Sequence, residues 1–197
     1  MTTQQSIIDI FKQNGGILTS KELSTPVIRY HTQQMVRSGI VTRVRQGMYI
    51  LHDDNIAINP QLLIQTMIPN GVFCLFTAWD FYELTTYTSS DYHIAIPRDF
   101  KVHLPEPYTA KIYSWSKHQY QLGISKIQID GKEVKIYDIE KSVCDAVKFR
   151  NKIGHDLSLE ILKNYLQRND RNLDLLMKYA KVVRIGEIIR ILVSTLV

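Results

Sequence analysis

Residues 15–51, GGILTSKELSTPVIRYHTQQMVRSGIVTRVRQGMYIL, contain the pattern that decides the fold of the first part of the chain. Thr25 and Pro26 predict a helix start, because a Thr side chain caps a first turn and Pro needs no amide partner there. Gly39 predicts the helix end, since glycine readily adopts the left-handed conformation that closes helices. The stretch therefore predicts a helix over residues 26–38.

Two helical stretches precede this helix, and a hairpin follows it. Residues 5–13 carry apolar side chains at helical spacing, and residues 21–23 predict a second, brief helix. Gly47 separates two β-rich runs, residues 40–44 and 48–51, which predicts a hairpin. Three helices followed by a hairpin predict a winged helix-turn-helix, in which the third helix reads DNA and the hairpin is the wing.

Composition limits the classes to which the protein can belong. The chain has 197 residues, of which 45% are hydrophobic and 22% are charged, as is typical of a soluble globular protein. No apolar run approaches the roughly 18 residues of a membrane-spanning helix, and the polar start of the chain predicts no secretory signal. Cys74 and Cys144 are too few for a disulfide framework. We therefore expect a cytoplasmic protein without a membrane partner.

Positive charge is concentrated in the first quarter of the chain. Residues 1–51 contain six Lys and Arg against two carboxylates, a net charge of +4 out of +5 for the whole chain. No carboxylate lies between Glu22 and Asp53, whereas four arginines do. An acid-free basic stretch favours a polyanion partner such as double-stranded DNA, with a solvated basic surface as the alternative.

The candidate DNA contacts lie on the third helix and the wing. Arg can pair with guanine and Gln with adenine, and helix amides near a capping Thr can bind phosphate. Wing arginines suit a narrow minor groove, and two arginines spaced two apart are expected to share one strand face. The candidates are Thr25, Arg29, Tyr30, Gln33, Gln34, Arg37, Arg43, Arg45 and Gln46. A winged helix that contacts only protein is the alternative.

The pattern changes after a polar break at residues 52–60. Strands come first and helices of period 3.6 follow. Thr77 is expected to cap a helix that follows a strand over residues 71–76, and Asp130-Gly131 predicts a two-residue hairpin turn. We predict an α+β protein with an N-terminal winged helix-turn-helix (residues 1–52) and a mixed α/β domain with a helical C-terminal part (residues 60–197). The late helices are predicted near residues 139–150, 157–168, 172–183 and 186–196.

The sequence contains no P-loop, GxGxxG, HExxH or GxSxG motif, so we expect no enzyme activity, no cofactor and no metal. His93 and His103 could approach each other, but nothing fixes a third metal ligand. Asp99, Glu133 and Lys135 follow the acid, Glu-x-Lys order of some metal-dependent nucleases. The last two also fit the outward face of a hairpin strand, so a nuclease stays an alternative.

Several blocks of the chain resemble the AbiEi family of antitoxins. Residues 15–51 resemble the family's N-terminal winged helix, with its Gly-Gly-hydrophobic-Leu-Thr opening and its Arg-Val-Arg-x-Gly-x-Tyr wing. Gln33 and Gln34 depart from a stretch that is often more basic in the family. The later blocks are CLFTAWDFYEL (74–84), HIAIPR (93–98), YDIEKSVCDAV (137–147) and LLMKYAKVVRIGEIIRILVSTL (175–196).

The resemblance implies an antitoxin of a type IV toxin–antitoxin system, active in abortive infection against phage, that represses its own operon by binding inverted repeats in promoter DNA. It implies a nucleotidyltransferase-like toxin as functional partner, without a need for direct binding, and antitoxin activity in the C-terminal domain. The oligomeric state is left open, with a monomer that binds cooperatively as one alternative. An interaction module that inhibits the toxin in a direct complex is the alternative function.

Overall fold

The computed structural model describes residues 3–54 and 57–196, which form a mixed α+β structure as predicted. Thr2 of the polar start and Asn55 of the predicted polar break lie outside the described residues. The chain divides into two compact units, each of which is built from three separate stretches of the sequence. The first unit comprises Met1–Met67, Leu104–Tyr108 and Gln128–Val134. The second unit comprises Ile68–His103, Thr109–Ile127 and Lys135–Val197.

The first unit combines helices with a three-stranded antiparallel sheet of strand order β1-β3-β2. Its elements are α1 (Thr3–Gln13), β1 (Ile17–Thr19), α2 (Pro26–Arg37), β2 (Val41–Arg45), β3 (Met48–Leu51) and α3 (Pro60–Met67). The helix α2 is the third helix predicted from the sequence. The hairpin β2–β3 is the predicted hairpin, with Gly47 at a φ of 75° in its turn.

The ends of α2 follow the local signals in the sequence. Thr25 has an extended backbone, and its Oγ1 accepts a hydrogen bond from the amide of Ile28 at 3.2 Å. Pro26 is the first helical residue, where its missing amide costs nothing. Gly39 follows the helix with a φ of 77°, a conformation that costs a residue with a side chain more than it costs glycine.

The brief helix predicted over residues 21–23 is wrong. This segment is a single turn, in which the amide of Leu23 donates to the carbonyl of Thr19 at 3.2 Å. The turn cannot extend into a helix because Pro26 disfavours the helical conformation at the residue before it.

The central strand β3 is buried on both faces of the sheet, since all four of its residues are buried. On one face, Tyr49 and Leu51 belong to a core that Phe11 of α1 and Met35 of α2 complete. Met48 and Ile50 alternate with Tyr49 and Leu51, so they point to the other face, and both are buried as well.

The second unit contributes most of a five-stranded mixed sheet of strand order β6-β5-β4-β8-β7. Strand β4 pairs antiparallel with β5 and parallel with β8, and β5 pairs parallel with β6. The strands and the early helices are β4 (Val72–Phe73), α4 (Leu75–Phe81), β5 (His93–Pro97), β6 (Lys111–Trp115), α5 (Lys117–Gln121), β7 (Ile124–Ile129) and β8 (Lys132–Tyr137). Asp130 and Gly131 form the predicted β7–β8 turn, with φ of 49° and 73°.

Two expectations near β4 are wrong. The strand ends at Phe73 because α4 already begins at Leu75, which adopts a φ of 47°. Thr77 therefore lies inside α4 and does not cap it. Its hydroxyl oxygen accepts a hydrogen bond from the amide of His93 at 2.8 Å, so it serves the neighbouring strand β5 instead.

The rest of the second unit is helical, as predicted for the C-terminal part. The helices are α6 (Ile139–Lys148), α7 (Arg150–Ile153), α8 (His155–Leu166), α9 (Leu173–Val182) and α10 (Gly186–Leu196). The helix α6 is the most deeply placed of these, since its residues 139–147 are all buried. Trp79, Tyr137 and Tyr165 are the largest side chains that are fully enclosed in this unit.

Candidate nucleic-acid interface

Helix α2 presents five of the nine candidate residues on one side. At about 100° per residue, they fall within an arc of roughly 140° around the helix axis. Four of these side chains are exposed, and Gln34 is half-buried at the edge of a cavity of about 310 Å³ in the first unit. The five residues are Arg29, Tyr30, Gln33, Gln34 and Arg37. Thr32 and Met35 lie on the opposite, buried side of the helix.

Arg29 is partly committed to the fold of the first unit. Its Nε donates a hydrogen bond to the main-chain carbonyl of Leu23 at 2.9 Å, which fixes the start of the side chain. The two terminal nitrogens of its guanidinium bond to none of the described residues. These nitrogens are the fork that pairs with a guanine edge or a phosphate. Thr25 has used an acceptor site on its hydroxyl for the cap and keeps the hydroxyl proton for a phosphate oxygen.

Arg43 and Arg45 do not share one face of β2, so that expectation is wrong. A β-bulge shifts the register between them, and Arg43 lies opposite Tyr49 whereas Arg45 lies opposite Met48. Directly opposed residues of an antiparallel pair project to the same face, and Met48 and Tyr49 project to opposite faces because they are consecutive. The extra residue, Val44, therefore sends the two arginines to different sides of the sheet.

The two wing arginines consequently differ in what they can reach. Arg45 donates from Nη2 to the main-chain carbonyl of Thr66 at the end of α3, at 3.1 Å. Arg43 projects to the face on which α1 and α2 pack, and its side chain is exposed. Gln46 is exposed in the turn itself.

Among the described residues, no carboxylate neutralises the arginines of this surface. None of Arg29, Arg37, Arg43 and Arg45 forms an ion pair within the described residues. The two carboxylates that border the acid-free stretch have lysine partners of their own. Asp53 pairs with Lys12 at 3.1 Å, and Glu22 lies 3.9 Å from Lys132.

The ionised form of Glu22, one of these two bordering carboxylates, is stabilised by its neighbours in the first unit. Burial opposes its ionisation, but hydrogen bonds from the hydroxyl and amide of Thr19, together with Lys132, outweigh burial and lower its pKa. The charge of Glu22 is thus directed into the first unit. The α2 surface keeps the positive charge predicted from the sequence.

The alternative metal sites gain no support from the geometry. Within residues 3–54 and 57–196, no three His, Cys, Asp or Glu side chains cluster so that they could hold a metal ion. The Nζ of Lys135, from the nuclease-like triplet, donates to the carbonyl of Pro69 at 2.8 Å. His93 is 2% exposed, and its ring nitrogens bond to the hydroxyl oxygens of Tyr113 and Ser89 at 2.9 and 3.2 Å.

Sequence reasoning missed a buried polar network in the second unit. Lys141 and Asp145 are fully buried one turn apart on α6, with both carboxylate oxygens 2.6 Å from the ammonium nitrogen. The ammonium also lies 4.2 Å from the ring centroid of Trp115 and 4.5 Å from that of Tyr137. Burial raises the pKa of Asp145, and Lys141 opposes that rise. The i, i+4 spacing was visible in the sequence, but it is equally common on exposed helices.

The comparisons with known proteins identify the fold class only. The chain has a mixed α+β fold that is similar, over 100% of its length, to that of a solved mycobacterial protein. That structure is the crystal structure of the RV2827C protein from Mycobacterium tuberculosis, with a TM-score of 0.50, 10% sequence identity and 81% of that chain covered. Neither a protein-family model nor a curated protein matches the chain. Among the described residues, no helix combines the length and hydropathy needed to cross a membrane.

Proposed function

We propose that the first unit is a winged helix-turn-helix domain that binds double-stranded promoter DNA, and that the protein is a cytoplasmic antitoxin that represses its own operon. The observation that carries the DNA-binding part is the exposed side of α2, along which Arg29, Gln33 and Arg37 lie. Neither arginine is paired with a carboxylate in the part of the chain that the structure describes. The order α1, β1, α2, β2, β3 supports a winged helix in which a turn replaces the second helix.

In this proposal α2 enters the major groove and the first unit also holds the DNA backbone. Arg29, Gln33 and Arg37 are spaced by four residues, so successive side chains lie one helical turn apart. Arg29 and Gln33 meet base edges, and Arg37 contacts a phosphate. Thr25 and the first amides of α2 contact a phosphate. Arg43 contacts the backbone or the minor groove beside it.

The antitoxin part of the proposal is supported by the resemblance of the sequence blocks to the AbiEi family. It assigns neutralisation of a nucleotidyltransferase-like toxin to the second unit, with no enzyme activity and no stable complex required. DNA binding and neutralisation are then separable functions of one chain.

The decisive experiment measures binding of the full-length protein to its own promoter DNA by fluorescence anisotropy over a range of salt concentrations. Arg37→Ala should weaken binding and flatten the slope of log K against log salt by roughly one unit, because it removes a phosphate contact. Gln33→Ala should cost on the order of 1–3 kcal/mol at a single base pair, with the salt slope unchanged.

Arg171→Ala is the matched control, because Arg171 is an exposed arginine of the second unit. Wild-type affinity in both Arg37→Ala and Gln33→Ala would refute the DNA interface. Repression lost by Arg37→Ala while toxin neutralisation persists would establish that the two functions are separable.

A protein-interaction module is the second candidate, because α2 also exposes apolar surface. Val27 is 56% exposed and Tyr30 is 59% exposed on this helix. In that case Val27→Ser and Tyr30→Ser would break a complex with the toxin and leave DNA affinity unchanged. A toxin that co-purifies with the wild-type protein in a fixed ratio would favour this candidate over the repressor.

A further inference from the structure

The second unit contains a cavity that the proposed function does not use. Its volume is about 740 Å³, within the range of roughly 300–1,000 Å³ that small-molecule sites occupy. Four aromatic side chains line it, one from strand β6, one from helix α4 and two from connecting segments. They are Phe76, Tyr87, Tyr113 and Phe149. Aromatic walls offer flat faces on which a planar ring can stack.

The inner wall of this cavity is formed around His93, and Lys111, which also lines the cavity, is paired with Asp91 at 2.9 Å. His93 is stacked on Tyr113, with ring centroids 5.6 Å apart, and lies 4.9 Å from Phe76 by the same measure. Its two ring nitrogens bond to the hydroxyl oxygens of Tyr113 and Ser89. Burial and the charge of Lys111 lower the pKa of His93 to about 4, so its ring is neutral at pH 7. The aromatic surface around the neutral ring of His93 is therefore suited to stacking with a planar ring.

The mouth of the cavity carries both signs of charge. Lys152 and Asp156 line it on either side of Gly154, and neither forms an ion pair within the described part of the chain. Glu160 also lines the cavity and accepts one hydrogen bond, from the amide of Thr86 at 3.4 Å. An ammonium group binds an anion, whereas carboxylates accept N–H donors.

We propose that this cavity binds a molecule with a flat aromatic ring that carries both N–H donors and an anionic group, as a nucleoside monophosphate or an aromatic amino acid does. The ring stacks between the aromatic walls, Lys152 holds the anionic group, and Asp156 and Glu160 accept the N–H donors. A purely apolar ligand would leave the charges at the mouth unused. A small anion such as phosphate would leave the aromatic walls unfilled.

The test is isothermal titration calorimetry of the full-length protein with two sets of probes. The first set is AMP, GMP, CMP and UMP, and the second is the three aromatic amino acids. Adenosine, which has the aromatic ring but no anionic group, and inorganic phosphate, which is an anion without a ring, serve as half-probes. We expect one set to bind at one site per chain with a Kd below about 1 mM, and each half-probe to bind at least tenfold more weakly.

Variants locate the binding in this cavity rather than on the basic surface of the first unit. Tyr87→Ala removes one stacking face and should weaken binding about tenfold. Lys152→Glu should weaken it by a similar factor because it repels the anionic group. Lys163→Glu, an exposed lysine of α8 outside the cavity, is the matched control and should bind as the wild type does.

Tyr87 and Lys152 are exposed, so both variants are expected to fold, and far-UV circular dichroism checks this. The imidazole resonances of His93 give a readout in the wild-type protein, since they should shift on titration with the binding probe. Absence of saturable binding by every probe up to 10 mM would overturn the proposal. So would binding that neither variant weakens and that leaves the His93 resonances unmoved.

Discussion

The guanidinium of Arg45 donates a hydrogen bond to the main-chain carbonyl of Thr66, which ties the end of β2 to the end of α3 within the first unit. Arg43, only two residues earlier, forms no such bond to the described residues and projects to the other face of the strand because of the bulge at Val44. One arginine is thus an anchor of the wing, and the other is available to a partner.

This difference predicts opposite consequences for two similar substitutions. Arg43→Ala should weaken promoter binding and flatten the salt dependence by roughly one unit of log K per log salt, with little change in stability. Arg45→Ala should lower the free energy of unfolding by about 1 kcal/mol, since it removes one hydrogen bond, and should leave the salt slope unchanged. Anisotropy titrations and urea unfolding of both variants measure the two quantities. Equal losses of salt dependence in the two variants would contradict the assignment.

The cap of α2 predicts a coupled loss of stability and DNA affinity. Thr25→Ala removes the acceptor of the Ile28 amide and should lower the free energy of unfolding by about 1 kcal/mol. It should also weaken promoter binding, because the first turn of α2 would no longer be held in place for a phosphate. Ser24→Ala, at the exposed neighbouring position, is the control for both measurements. If Thr25→Ala lowers the free energy of unfolding but leaves promoter affinity unchanged, the cap has no role in binding.

The parts of the fold that sequence could predict are those fixed by adjacent residues. Pro26 and Gly39 set the bounds of α2 through their own backbone preferences. The backbone preferences of Asp130 and Gly131 likewise set the position of the β7–β8 turn. The bulge at Val44 depends on pairing with β3, and Thr77 bonds to a strand sixteen residues away in sequence. Such features depend on contacts between residues that are apart in sequence, so no local sequence pattern predicts them.

His93 predicts a pH dependence of stability with a defined sign. Its pKa is about 4 in the folded protein, lowered by burial and by Lys111, against about 6.5 in an unfolded chain. Above pH 6.5 the ring is neutral in both states, and its contribution to stability is fully present. As the pH falls from 6.5 to 4, the unfolded state takes up the proton more readily, so stability is lost, by roughly 3 kcal/mol at most.

The measurement is the free energy of unfolding in urea between pH 4 and pH 7.5 for the wild type and His93→Gln. Glutamine keeps a donor and an acceptor near Ser89 and Tyr113 but does not titrate. The difference between the two proteins should therefore change over pH 4–6.5 and be constant above it. Parallel curves over the whole range would show that His93 does not cause the dependence.

The buried pair on α6 predicts strong coupling between two substitutions. Lys141→Met should lower the free energy of unfolding by about 3–5 kcal/mol, because it leaves the carboxylate of Asp145 buried without its counter-ion. Asp145→Leu should cost a similar amount for the corresponding reason. The double variant Lys141→Met/Asp145→Leu should lose much less than the sum, since apolar groups of similar volume can replace a buried ion pair at little net cost. A double-mutant cycle by urea unfolding measures the coupling, and purely additive losses would mean that the two charges are stabilised by other groups.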